Sequence, residues 1–116
     1  MKVLVCGGRD YADTANLKVA LDLFHKDTSR ITMIIHGGAR GADRLAGAWA
    51  DSMGIHSAEV RALWDSHGRS SGPRRNYAML SLLPDYCIAF PGGSGTGDMK
   101  KQCIKFKIPV WEPFVA

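Results

Sequence analysis

Cysteine is scarce in this sequence. Cys6, Cys87 and Cys103 are an odd number at wide spacing with no C-x-x-C pair, which excludes a disulfide framework and a paired Cys/His zinc pattern. A reducing cytosol is the expected compartment. No apolar run approaches the roughly 18 residues of a membrane span, and Met1-Lys2 leads straight into a strand-like segment instead of a signal peptide. A soluble cytoplasmic protein with no membrane partner is therefore expected. The chain also lacks H-E-x-x-H, G-x-x-x-x-G-K-[ST] and G-x-G-x-x-G, which disfavours a metalloprotease, a P-loop ATPase and a standard dinucleotide dehydrogenase. Neither a metal site nor a cofactor is expected. Internal repeats and low-complexity tracts are missing, and the glycine-rich stretch from Pro91 to Gly97 is too short for a linker.

What is present fits one compact domain over residues 1–116, since 46% of the chain is hydrophobic and 22% charged. A domain of this size buries about 60–70% of the surface its unfolded chain exposes, enough for one core. Fifteen basic residues against 11 acidic ones give a formal charge of +4. Such an excess fits a nucleic-acid partner, an anionic small ligand or solubility alone, so its placement matters more than its size.

Two periodicities alternate along the chain. Short apolar, β-branched runs at Lys2 to Cys6, Ile31 to His36 and Asp85 to Phe90 read as strands, with weaker ones at Ala58 to Ala62 and Ile108 to Trp111. They show no in-out alternation, so they read as parallel strands buried on both faces. Between them a first helix starts at Asp13 or Thr14 with the stripe Leu17, Ala20, Leu21 and Phe24. A second runs from about Gly41 to Met53 on Leu45, Trp49 and Met53, with Gly54 as its stop. A third starts at Gly72-Pro73 and ends before Pro84, and a fourth begins at Gly95-Thr96 with Met99, Cys103 and Phe106 on one side. This β-α alternation predicts a single Rossmann-like three-layer α/β/α domain with a parallel five-stranded sheet in the order 3-2-1-4-5.

In an open α/β sheet ligands bind at the carboxyl ends of the strands, so the exit loops carry the functional signal. Strand one exits through Gly7-Gly8-Arg9-Asp10-Tyr11, strand two through Gly37-Gly38-Ala39-Arg40-Gly41-Ala42-Asp43, and strand four through Pro91-Gly92-Gly93-Ser94-Gly95-Thr96. The weak third strand leads into Trp64 to Asn76. Glycines at such turns admit positive φ and close approach of a ligand, and the next helix points its N–H groups there. Arg9, Arg40, Arg69, Arg74 and Arg75 fall in the same exits, where the helix dipole gives a cation no benefit. An anionic ligand gripped by guanidinium groups accounts for them.

The segment Pro91-Gly92-Gly93-Ser94-Gly95-Thr96 resembles the P-G-G-x-G-T signature of the LOG proteins, cytokinin-activating phosphoribohydrolases. Gly37-Gly38-Ala39-Arg40-Gly41-Ala42-Asp43, followed by Leu45, Ala46, Trp49 and Ala50, resembles the G-G-A-x-G-A-D signature of the YspA-like DUF2493 branch of the SLOG superfamily. That superfamily also contains the DNA-processing protein DprA. Gly8-Arg9-Asp10-Tyr11 and Gly72-Pro73-Arg74-Arg75-Asn76 fit the same branch, so the resemblance covers nearly the whole chain. It implies a Rossmann-like fold and a nucleotide-derived ligand at the glycine-rich edge. In LOG enzymes an Arg in R-K-x-x-M and a Glu in P-G-G-x-G-T-x-x-E carry hydrolysis of the N-glycosidic bond. Arg75 matches the Arg and Asn76 replaces the Lys, but Met99 stands at the Glu position, and Asp98 lies one residue early, about 100° away on a helix. A thioether can neither transfer a proton nor stabilise charge on a sugar. Asp98 is then the substitute carboxylate, with Asp10 and Asp43 as others.

The ligand-binding residues expected are Gly8, Arg9, Gly37, Gly38, Arg40, Asp43, Trp64, Arg75, Asn76, Gly92, Gly93, Gly95 and Thr96, with Arg75 and Asp98 as catalytic candidates. Trp64 suits base stacking or anchoring of its loop, Asp43 a helix cap, and Trp49 and Trp111 the core. The favoured reading is a protein that binds a nucleotide or nucleotide-derived phosphorylated small molecule as a sensor. Its rivals are a phosphoribohydrolase acting on nucleoside 5′-monophosphates and a DprA-like binder of single-stranded DNA, the nucleic acid being the less favoured partner. A homodimer remains open.

Overall fold

The structure is a computed structural model that describes residues 1–114. Strand β1 (Lys2–Cys6) is apolar at nearly every position because it lies in the middle of the sheet, where Val3, Leu4 and Val5 are fully buried. Around it are β2 (Met33–His36), β3 (His56–Glu59), β4 (Tyr86–Ala89) and β5 (Val110–Trp111), in the order β3-β2-β1-β4-β5. All pairs are parallel, with Val3 opposite Ile34 on one side and Tyr86 on the other. This is the expected Rossmann-like α/β fold.

Alternate β1 side chains feed two cores. Val3 and Val5 join Ile34 and Ile88 beneath α1 (Thr14–Leu23) and α2 (Ala42–Ser52), while Leu4 and Cys6 join Ile35 and Cys87 beneath α4 (Ser71–Leu80) and α5 (Ser94–Lys105). Helix α1 begins where Asp13 accepts the Asn16 N–H at 3.1 Å, and its stripe Leu17, Ala20, Leu21 and Phe24 is buried as its periodicity requires. A π-helical turn over Phe24–Thr28 extends it. Helix α2 closes in a Schellman motif: Gly54 takes φ +67°, its N–H bonds to Asp51 O at 3.2 Å, and the Ile55 N–H bonds to Ala50 O at 2.8 Å.

That closure corrects the placement of the third strand. The chain is released at Ile55, so His56 pairs with Met33 and the strand ends at Glu59 opposite His36, before most of the expected Ala58 to Ala62. As an edge strand it exposes His56, Ser57 and Glu59 and is not buried on both faces. A similar motif moves Phe106 off the core side of α5. Lys107 takes φ +59° and Ile108 N–H bonds to Cys103 O at 2.8 Å, so Phe106 swings outward and packs edge-on with the Tyr77 ring, centroids 5.9 Å apart. Trp111, expected in the core, is only half-buried, because β5 is a two-residue edge strand. The Trp64 segment holds a short helix, α3 (Trp64–His67), and a 3₁₀ turn over Gly68–Ser70 that leads directly into α4. No helix among the described residues is long and apolar enough to cross a membrane.

Candidate functional site at the carboxyl edge of the sheet

β1 and β4 are neighbours, so their exit loops run side by side. The Gly8 N–H bonds to Pro91 O at 2.8 Å, and Gly8 O accepts the N–H groups of Tyr11 and Ala42 at 3.2 and 3.3 Å. Backbones this close leave no room for side chains. A Cβ on Gly92 collides with Thr96 Oγ1 and lies 2.6 Å from Gly8 N, and one on Gly7 lies 2.6 Å from the Ala42 Cβ. Positive φ, expected of these turns generally, is found at Gly38 (+72°) and Gly41 (+87°) in the β2 exit and at Gly68 (+56°) after β3, and at no glycine of the β1 and β4 exits. Gly8 and Gly92 serve close approach instead.

Helix α5 starts at this edge with Gly93 as its N-cap, no side-chain cap and no acidic residue in its first turn. A Cβ on Gly93 or Gly95 meets nothing within 4 Å. The first-turn N–H groups have no acceptor within the helix, and Gly93, Ser94, Gly95 and Thr96 all line the cleft at this edge. Helix α2 differs, because Asp43 already occupies its first turn and accepts the Ala39 N–H at 3.3 Å. Burial pushes the Asp43 carboxyl above its usual range, against the pull of the Ala39 N–H, Arg75 and His36. Of the two helix ends, α5 is the one left for an external anion.

Helix α4 delivers Arg75 and Asn76. Arg75 reaches back to the β2 exit, donating from Nη1 to Gly37 O at 3.0 Å and from Nε to Asn76 Oδ1 at 3.1 Å. Asn76, only 3% exposed, donates to Gly95 O at 3.2 Å and to Asp98 Oδ2 at 2.9 Å. Asp98 Oδ2 also accepts from Gln102 Nε2 at 2.7 Å. This chain of bonds ties three exit loops into one arrangement. Met99, by contrast, is fully buried in the core, so the cleft-facing carboxylate at the start of α5 is Asp98.

A cleft of about 870 Å³ lies over these groups. It is lined by Gly8 and Arg9 of the β1 exit, Asp43 of α2, Trp64 of α3, Arg75 and Asn76 of α4, and Gly92, Gly93, Gly95, Thr96 and Asp98 of the β4 exit and α5. Tyr11 also lines it, its ring tilted against Phe90 with centroids 5.4 Å apart, and its buried hydroxyl has no hydrogen-bond partner among the described residues. Gly37, Gly38 and Arg40 are not part of this cleft. They line an adjoining one of about 520 Å³, which shares Arg9, Ala39, Trp64 and Arg75 with the first. The loops therefore form two neighbouring clefts, where the sequence pointed to a single pocket. Arg74 lines neither. Trp64 stands at the divide, 51% exposed, with the Arg9 guanidinium 5.9 Å from its ring centroid. His36 has a local role, its Nδ1 accepting the Gly38 N–H at 3.0 Å.

Four functional candidates escaped the sequence reading. Arg61 was assigned to the third strand and emerges in its exit only because that strand ends early; Glu59 and Arg44 join it in the second cleft. Gln102 carried a usable signal, its i, i+4 spacing from Asp98 on α5.

Residues 1–67 match the family described as YspA, cpYpsA-related SLOG family. The chain belongs to this SLOG family. Its relatives include the Gene 61 protein of Mycobacterium phage D29, which is 37% identical over 117 residues, covering 94% of this chain and 93% of that protein. The SLOG chain also resembles the X-ray structure of DNA processing protein A (DprA) from Streptococcus pneumoniae, with a TM-score of 0.59 at 16% identity. That likeness is one of fold. It takes in 95% of this chain and 58% of the DprA chain.

Proposed function

We propose that the first cleft binds a phosphorylated nucleotide or nucleotide-derived small molecule. The observation that carries this reading is the first turn of α5, which opens on the cleft with neither a side-chain cap nor an acidic residue. Its N–H groups and dipole attract an anion of phosphate size, and Gly93 and Gly95 leave room for it. Arg9 and Arg75 supply charge, and the exposed Trp64 indole offers a face for a base. The volume lies within the range of small-molecule sites. Membership of the SLOG family supports a nucleotide- or DNA-related binding role in general.

Calorimetric titration with AMP and ADP-ribose tests the reading. Removing a charged hydrogen-bond donor costs about 1.5–3 kcal/mol, so Arg75→Ala is expected to weaken binding about 10- to 150-fold. Circular dichroism checks that the variant remains folded. Absence of binding by every phosphorylated nucleotide, or a dissociation constant indifferent to both Arg75→Ala and Gly93→Val, overturns it. A strand of about 20 nucleotides is expected to bind less tightly than the best mononucleotide at about 150 mM salt, where phosphate contacts are strongly weakened.

A second reading rests on Asp98. Its carboxylate lines the cleft beside Arg75 and is held by Asn76 and Gln102, a place from which it stabilises positive charge developing on a ribose or transfers a proton. On this reading water displaces the base from a nucleoside 5′-monophosphate, leaving free base and ribose 5-phosphate. Chromatography of AMP after long incubation shows free base if it holds, and Asp98→Asn abolishes its release. No free base from the wild type restricts the site to binding.

A further inference from the structure

The second cleft holds a disproportionate share of the charge of the chain. Arg9, Arg40, Arg44, Arg61 and Arg75 line it, with Glu59 as its sole carboxylate. Two of these arginines, Arg9 and Arg75, are shared with the first cleft, but Arg40, Arg44 and Arg61 belong to the second alone and still outweigh Glu59. The first cleft, by contrast, adds only Arg69 of its own against Asp10, Asp43 and Asp98.

Internal ion pairs neutralise little of this cluster. Glu59 accepts from Arg61 Nε at 3.3 Å, and Arg40 meets Asp10 at 3.1 Å in a pair whose side chains are 69% and 94% exposed. Such exposed pairs are weak and exchange readily for a stronger anion. Each guanidinium carries five N–H donors, so most of the donors at the cleft remain available. Like charges gathered in a concave surface repel one another and focus the field outward. Folding does not need this collection, since Arg40, Arg44 and Arg61 are exposed and none joins either core.

The two clefts are immediate neighbours, with Arg9, Ala39, Trp64 and Arg75 lining both. We infer that the second cleft is an anion subsite of the same binding site, and that the ligand carries two separated anionic groups. The class is a dinucleotide-type molecule. One phosphate lies at the first turn of α5, the second anionic group lies among Arg40, Arg44 and Arg61, and the part between them passes the Arg9–Trp64 pair. This rests on the nucleotide-binding reading of the first cleft and narrows it to a ligand class.

The test compares AMP with diadenosine tetraphosphate at about 150 mM salt, where long-range charge effects are screened beyond about 8 Å. Diadenosine tetraphosphate is expected to bind at least about tenfold tighter than AMP, as one additional charged hydrogen bond would give. Arg44→Gln/Arg61→Gln, which alters the second cleft alone, is expected to remove that gain while changing AMP affinity less than about twofold. Equal affinities for the two ligands, or an equal loss of both in the double variant, overturns the inference. The dinucleotide pApA and a strand of about 20 nucleotides separate the sources of the same chemistry: a small ligand predicts that lengthening the strand adds no affinity, whereas a strand binding more tightly than either dinucleotide overturns the small-ligand assignment in favour of nucleic acid. Failure of the underlying reading looks different. AMP then does not bind, and Arg75→Ala leaves the binding of diadenosine tetraphosphate unchanged.

Discussion

Gly92 and Gly97 lie on either side of the first turn of α5, and the structure gives them opposite sensitivities to one methyl group. At Gly92 a Cβ runs into Thr96 Oγ1, 2.9 Å from the Thr96 Cβ and 2.6 Å from Gly8 N, the donor that bonds to Pro91 O at 2.8 Å. Backbone atoms on one side and a buried threonine on the other leave little freedom to yield. Gly92 has no positive φ, so the cost of Gly92→Ala is one of space, about 1–3 kcal/mol for an overpacked methyl. At Gly97 the same methyl meets nothing within 4 Å and replaces a poor helix former by the best, a gain of up to about 1 kcal/mol. With an unfolding entropy near 2.1 cal/mol/K per residue, 1 kcal/mol moves Tm by about 4 °C in a chain of 116 residues. Gly92→Ala is expected to lower Tm by about 4–12 °C, and Gly97→Ala to raise it by up to about 4 °C. Urea unfolding followed by far-UV circular dichroism gives the free energies, provided the slopes agree between variants. Gly92→Ala within about 0.5 kcal/mol of the wild type, or Gly97→Ala as damaging as Gly92→Ala, refutes close approach as the reason for glycine at the β1/β4 exits.

Asp43 tests the electrostatics of the other helix end. Its carboxyl binds a proton more tightly folded than unfolded, so its contribution to stability falls as pH rises through the interval above 3.8 and is flat beyond its folded pKa. Relative to the wild type, Asp43→Asn should therefore fare better at pH 7 than at pH 4 in urea unfolding, and the reverse order would show that the pull of Arg75 and His36 exceeds the burial penalty. Trp49 Nε1 donates to Asp22 Oδ1 at 2.8 Å, a bond that holds the Asp22 carboxyl below its usual range. Its stabilisation is present above the unfolded pKa and lost as pH falls, so Trp49→Phe should cost more at pH 7 than at pH 3; an equal cost at both would assign the loss to packing alone. Cys6, Cys87 and Cys103 are free and buried, and neighbouring thiols and burial push Cys87 well up. Ellman's reagent should react with them at the rate of unfolding, and immediate reaction of a folded sample would contradict that burial.

The sheet order was legible because β1, β2 and β4 are apolar runs with nothing else to be, and the crossover rule leaves few ways to connect them through amphipathic helices. The edge strands were less legible for a physical reason. β3 exposes three of its four residues, so burial leaves no pattern in its sequence, and its start is fixed by the Schellman turn at Gly54 and by register with β2. Phe106 and Lys107 show the same limit at the end of α5. Lys107 adopts a left-handed conformation that sequence reserves for glycine, and the turn it completes sends an aromatic side chain outward.

At the site, the loops were legible and their division was not. Glycine and arginine at strand exits mark the edge because sheet topology brings those exits together, whatever each loop does afterwards. How the edge is partitioned depends on single side chains crossing between elements. Arg75 leaves α4 to bond Gly37 O in the β2 exit, and Trp64 stands on a four-residue helix whose sequence carries no periodic signal, yet both line the two clefts together with Arg9 and Ala39. The start of α5 shows what periodicity alone does supply. Met99 and Cys103 repeat every four residues and are both fully buried, so Asp98, one step of about 100° from Met99, is turned to the cleft edge where Asn76 and Gln102 hold it. The apolar stripe that places Met99 in the core thus also places the Asp98 carboxylate at the cleft, so a carboxylate lines this edge although the side chain at position 99 is turned away from it.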